Sequence, residues 1–263
     1  MKNFNSKLNS KDVLEFLNDN WVEIPNTIFS VQINQKQRIE NILGDNKISD
    51  LIILLISYGL IKISENLWNQ FEREKEIKIL DVDSKKLWEK LLDLWAKKIF
   101  EGRIIDTYFD TKKKDLKNWT TNWWNKSSIR IRYKVNSGEQ SWKYYCTIKR
   151  RDKQSNESLL RDCYEEEFEI FNPIVFYKLL LRFGLNEYKL KVKNRVWYSL
   201  DKEKIKFDFD KYDNIPELLE IEAESSKQAL KYIKKLNLED KETLNWGSSS
   251  LFKHYWLEMK KYF

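Results

Sequence analysis

The 263-residue chain is 41% hydrophobic and holds 11 Trp, 13 Tyr and 14 Phe, which excludes global disorder and supplies a sizeable core. Its formal net charge is +7, yet one histidine, two cysteines and six glycines leave little material for a His-based triad, a thiolate metal site or a glycine-rich phosphate loop. Any metal chemistry must use oxygen ligands, which points to Mg²⁺ or Mn²⁺.

Residues 1–70 hold seven Lys/Arg and eight Asp/Glu, a sum of −1, so the excess of +8 lies in residues 71–263. This first segment reads as helical. Ser10-Lys11-Asp12 caps a helix through Leu17, Asn34 to Leu43 is a second, and Ile48 to Ile63 a third. The apolar run Leu51 to Ile63 is too short to span a bilayer, and Met1 to Asp12 is too polar for a signal peptide. Cys146 and Cys163 suit a reducing compartment, so a cytoplasmic protein with no membrane segment is expected.

From Phe71 the period changes to two. Phe71–Leu80 alternates as a strand, Ser84 to Phe100 reads as a helix, and Ile104 to Asp110 as the next strand. A loop follows with Trp119, Trp123 and Trp124, candidates for stacking on a nucleobase or another flat ring. Ser128–Val135 and Trp142–Lys149 form a hairpin around Asn136-Ser137-Gly138. Arg161–Ile170 is a strand, and Pro173–Gly184 a helix with a glycine cap. Tyr188–Leu200 and Lys204–Lys211 make a second hairpin, and Leu218–Glu224 a further strand. Helices Ser226–Leu236 and Leu251–Tyr262 complete the chain.

The polar faces of these strands segregate by sign. Glu72/Glu74/Glu76, Glu165/Glu167/Glu169 and Glu220/Glu222/Glu224 are acidic ladders, while Arg130/Arg132 and Lys193/Arg195 are basic ones. A solvated sheet would mix the signs, because like charges at this spacing repel. Closing the sheet into a barrel of about eight strands would bring both kinds of ladder round one lumen. A divalent metal against the carboxylates and a polyanion against the cations would then satisfy both. On this reading, removing Glu76 or Glu222 relieves repulsion and leaves the fold intact.

At these residues the sequence resembles the CYTH superfamily of triphosphate tunnel metalloenzymes. An ExExK stands at Glu74-Lys-Glu76-Ile-Lys78 and a YxDT-like signature at Tyr108-Phe109-Asp110-Thr111. Then come RxR at Arg130 and Arg132, TxK at Thr147 and Lys149, and ExE at Glu165 and Glu167. KxR at Lys193 and Arg195, Asp210, and Glu220-Ile-Glu222 complete the series in the family's order.

The resemblance implies an α+β fold, a closed antiparallel β-barrel forming a triphosphate tunnel, with flanking helices. Residues 71–263 would form this domain and residues 1–70 a helical N-terminal attachment outside it. Glu74, Glu76, Asp210, Glu220 and Glu222 would then hold the metal. Lys78, Arg130, Arg132, Lys149, Lys193 and Arg195 would clamp the phosphates, and Glu165 or Glu167 would orient the attacking water. The implied substrate is a triphosphate, inorganic or organic, with an RNA 5′ end as one possible bearer. Hydrolysis of the terminal phosphate is the leading expectation. Class IV adenylyl cyclisation is the alternative, and a non-catalytic nucleotide sensor a third.

Overall fold

The computed structural model describes residues 61–63, 73–112, 126–151, 159–182, 184–245 and 247–257. Ten strands and four α-helices are present among them. In chain order they are β1 (Ile61–Ile63), β2 (Arg73–Ile79), α1 (Ser84–Asp93), β3 (Lys97–Thr111), β4 (Lys126–Asn136), β5 (Lys143–Arg151) and β6 (Arg161–Ile170). Then follow α2 (Pro173–Arg182), β7 (Leu185–Leu200), β8 (Ile205–Lys211), β9 (Leu218–Glu222), α3 (Ser226–Lys235), β10 (Thr243–Leu244) and α4 (Ser248–His254).

The strands join in one sheet of order β1-β6-β5-β4-β3-β7-β8-β9-β2-β10, and every pairing is antiparallel. The closed eight-stranded barrel expected from the sequence is therefore corrected to a curled ten-stranded sheet. β2 meets β6 over only four residue pairs, Arg73↔Tyr164 to Glu76↔Arg161. Beyond that short seam the two strands take other partners: Phe168–Ile170 of β6 pair with β1, and Lys78–Ile79 of β2 pair with β10. The inserted edge strands β1 and β10 keep the sheet from closing along its full height.

Alternation decides what each face buries. Ile77 and Ile79 of β2, Phe207 and Phe209 of β8, and Leu219 and Ile221 of β9 turn outward against Leu87 and Leu91 of α1 and Ala229, Tyr232 and Ile233 of α3. The intervening residues Glu76, Lys78, Asp208, Asp210 and Glu220 are buried too, on the opposite face. These strands thus have an apolar outer side under helices and a charged inner side within the curl.

The two packing helices start where side chains supply the missing acceptors. Asp83 accepts from the Lys86 N–H at 3.3 Å, and Ser225 from the Gln228 N–H at 3.2 Å. α1 ends at Asp93, seven residues before the predicted Phe100. Trp95 turns into the left-handed region (φ 64°), the Ala96 N–H donates to the Leu91 carbonyl, and Lys97–Phe100 begin β3. Ile61–Ile63, predicted as the end of a helix, form β1 instead, where cross-strand pairing with Phe168–Ile170 overrides local propensity. α4 covers Ser248–His254 rather than starting at Leu251. The Trp119, Trp123 and Trp124 loop and the helices predicted before Ile61 lie outside the described residues.

Gly102 sits where β3 crosses closest to β4. A Cβ there would stand 1.9 Å from the Val135 carbonyl oxygen, so no other residue fits without moving the backbone.

Candidate functional site

The inner face is a continuous array of ion pairs contributed by eight strands. On one flank, Lys78 of β2 bridges Glu76 and Glu220, both at 2.9 Å. Arg195 of β7 reaches Glu220 at 2.7 Å, Asp210 at 2.6 Å, and Asp208. Lys193 donates to Asp210 at 2.5 Å. Across the seam, Arg161 of β6 donates to Glu76 at 2.6 Å.

On the other flank, Asp106 of β3 serves three cations: Arg132 at 2.7 Å, Lys191 at 3.2 Å and Arg130 at 3.5 Å. Arg130 also donates to Glu165 at 2.9 Å. Lys149 of β5 joins the flanks, reaching Glu165 at 2.9 Å and Glu74 at 2.5 Å. Glu167 accepts from Lys134 (2.6 Å), Arg132 (3.3 Å) and the Thr147 hydroxyl (3.2 Å). Lys134 also lies 4.4 Å from the Tyr145 ring centroid and 6.0 Å from that of Trp197.

Burial makes these charges matter, since few waters screen them. Burial alone would push Asp106 up, but Arg130, Arg132 and Lys191 outweigh it and hold the carboxylate well below its usual range. The same competition depresses Glu76, through Lys78, Lys149 and Arg161, and Glu165, through Lys149, Arg130 and Arg132.

Other acids go the opposite way. Burial, then Glu165, raise Glu74 to about 7 despite Lys149. Burial, with Asp210 and Glu220, raises Asp208 to about 6 despite Arg195. Burial and Asp208 raise Glu222.

The residues present fit a hard divalent cation by the chemistry of their donors. Asp208 has a buried carboxylate oxygen with no hydrogen-bond partner, and Glu74 and Glu222 are held toward their protonated forms by burial and neighbouring carboxylates. A cation among them would relieve both conditions. Among the described residues, however, no group of three or more His, Cys, Asp or Glu side chains is drawn together as a metal cage. The acids turn to lysine and arginine instead.

The six predicted phosphate-binding cations, Lys78, Arg130, Arg132, Lys149, Lys193 and Arg195, all lie on this one face. Glu74, Glu76, Asp210 and Glu220 join the same network, whereas Glu222 pairs at the edge with Lys206 at 3.1 Å. Glu165 and Glu167 sit among the cations. Lys134, Arg161, Lys191 and Asp208 fall on the charged strand faces by the same two-residue alternation but were given no role in the site. Asp106 was missed, although it stands two residues from Tyr108 on the same strand face.

No helix among the described residues is long and apolar enough to cross a membrane. Among curated proteins none matches this chain. Solved structures share its fold, among them the following two. The PH1819 protein from Pyrococcus horikoshii OT3 is 22% identical, with 69% of this chain and 98% of that one covered and a TM-score of 0.52. A Vibrio parahaemolyticus protein, described only provisionally as an adenylate cyclase, is 14% identical, covers 70% of this chain and 99% of its own, and has a TM-score of 0.52. At these identities the likeness speaks for the fold alone. The CYTH domain family matches residues 72–254, spanning every strand of the charged face from β2 to β9, and the chain belongs to that family.

Proposed function

We propose that this chain hydrolyses the terminal phosphate of a triphosphate in a reaction that depends on Mg²⁺ or Mn²⁺. The observation that carries the reading is the convergence of Lys78, Arg130, Arg132, Lys149, Lys193 and Arg195 on one buried face, interleaved with carboxylates. Membership of a family of triphosphate-acting enzymes supports it.

Phosphoryl transfer needs little covalent help from a protein; it needs the phosphates fixed and their growing charge neutralised. The arginines offer forked donors to phosphate oxygens and the lysines compact charges, all preset by neighbouring acids. An incoming triphosphate would take over cations now paired to Glu165, Asp106 and Asp210. Glu74, Glu76, Asp210, Glu220 and Glu222 would hold the metal, which when bound supplies charge neutralisation on the phosphate oxygens. Glu165 or Glu167, kept ionised by Lys149, Arg132 and Lys134, would accept a hydrogen bond from the attacking water.

The test is product analysis. The purified chain with Mg²⁺ or Mn²⁺ should release orthophosphate from tripolyphosphate or ATP and lose that activity in EDTA. Arg132→Ala should lower turnover by about 100-fold or more. Full activity in chelator would overturn the metal dependence. Cyclic AMP and pyrophosphate from ATP, without orthophosphate, would replace hydrolysis by cyclisation.

A further inference from the structure

Among the described residues, and leaving aside exposed Lys143 at the rim, the inner face has one cation outside the pairing scheme. Lys78, Arg130, Arg132, Lys134, Lys149, Arg161, Lys191, Lys193 and Arg195 each have a carboxylate within 4.0 Å. Lys189 has none among the described residues. Its ammonium instead lies 3.4 Å from the Ser248 hydroxyl and 3.3 Å from the Ser249 hydroxyl, and 4.6 Å from the centroid of the Tyr108 ring.

Tyr108 is buried and sits opposite Lys189 in the β3–β7 ladder. Its hydroxyl accepts from Arg130 at 3.2 Å, and both the Arg130 guanidinium and the Lys191 ammonium lie 5.8 Å from its ring centroid. Three cations therefore crowd one phenol, and Asp106, which pairs with two of them, is divided between Arg130, Lys191 and Arg132. The charge imbalance is legible in the groups themselves. Burial lowers the Lys189 ammonium to about 8, opposed by Tyr108. Burial would raise the Tyr108 hydroxyl, yet Lys191 and Arg130 bring it down to about 7. Crowded positive charge with hydroxyl donors at hand is a site short of an anion.

We propose that Lys189, the Ser248 and Ser249 hydroxyls, Tyr108 and the near side of Arg130 and Lys191 form a separate anion subsite, which takes an end phosphate of a linear polyphosphate whose other phosphates lie on the paired cations. The inference deepens the reading of the inner face as a polyphosphate-binding surface and rests on it. It adds a length requirement: a chain too short to span from the paired cations to Lys189 leaves this subsite empty.

The test measures metal-free binding of pyrophosphate, tripolyphosphate and tetrapolyphosphate to the full chain by calorimetry, for the native protein and for Lys189→Gln. Affinity in the native chain should step upward at the length that first reaches Lys189. The variant should lose that step, about tenfold in Kd, while pyrophosphate binding stays unchanged. Lys189→Arg should restore most of it. Because no carboxylate among the described residues depends on Lys189, the variant should melt at or above the native temperature, and an unfolded Lys189→Gln would itself overturn the proposal by showing a structural role. Equal losses on all three ligands, or no loss on any, would overturn it as well. Tripolyphosphate hydrolysis is scored separately with metal: a length step without turnover removes the hydrolase reading and leaves the subsite standing, whereas turnover without a length step does the reverse.

Discussion

The two faces of β2, β8 and β9 are buried to the same degree and do opposite things. Ile77, Phe207 and Ile221 are 1%, 0% and 0% exposed, and Lys78, Asp208 and Glu220 beside them only 3%, 3% and 7%. The outer residues release water and gain close packing under α1 and α3. The inner residues give up hydration and recover it only partly through one another. Stability is therefore concentrated on the outside of the curl, and the inside holds charges whose best partners include a ligand.

The sharpest way to break this contrast is to truncate the outer face. Phe207 is fully buried, with its ring 5.4 Å from that of Tyr232. Phe207→Ala should cost about 4 kcal/mol in chemical denaturation, through lost transfer energy and the cavity left behind. A loss under about 1 kcal/mol would mean that the helices do not anchor these strands.

Not every inner residue should behave as function alone. Asp106 is completely buried and serves Arg130, Arg132 and Lys191. Among the described residues, Asp106→Asn leaves Lys191 with no carboxylate within 4.0 Å and crowds its neighbours, so a loss of about 3 kcal/mol is expected; Glu165 and Glu167 still hold the two arginines and soften it. Glu76 falls in the same group. The like-charge ladder suggested that its removal would stabilise, but Lys78 and Arg161 occupy both sides of it, so Glu76→Gln should destabilise, by about 1–3 kcal/mol. A gain in stability would restore the ladder argument.

That reversal marks how far the sequence was legible. Alternation correctly assigned Arg130, Arg132, Lys193 and Arg195 to one face, because side-chain parity along a strand is strictly local. It could not show which acid meets which base. Lys149 reaches Glu74 across β6, and Arg195 reaches Glu220 across β8; both meetings depend on how tightly the sheet curls. Nor did parity reveal that β1 and β10 would occupy the two edges beside the seam. A stretch as short as Ile61-Lys62-Ile63 carries no signal separating the end of a helix from an edge strand. The Trp95 turn was hidden for a similar reason: its neighbours are good helix formers, and only packing against the core stops α1 where it stops.

The smallest effect, and the one that separates the acids of the inner face from each other, concerns Glu74. Its folded-state pKa is raised to about 7 by burial and by Glu165, against the pull of Lys149. A carboxyl whose pKa rises on folding binds its proton more tightly in the native state than in the unfolded chain. Its ionisation therefore draws stability down as pH climbs from about 4.5 to 7, and the deficit is complete above that window. Glu76 and Glu165, depressed by their lysines and arginines, have the opposite sign: they stabilise at neutral pH and lose that contribution only in acid. Glu74→Gln should thus be neutral near pH 4 and stabilising near pH 8. The gain should be on the order of 1 kcal/mol, because Glu74 keeps some contact with water and Lys149 can turn fully to Glu165. Denaturation of native and variant chains at the two pH values, both in chelator, measures it. An equal difference at both would show that Glu74 does not titrate across this range, and a loss at pH 8 would place it with Glu76 as a structural partner of lysine.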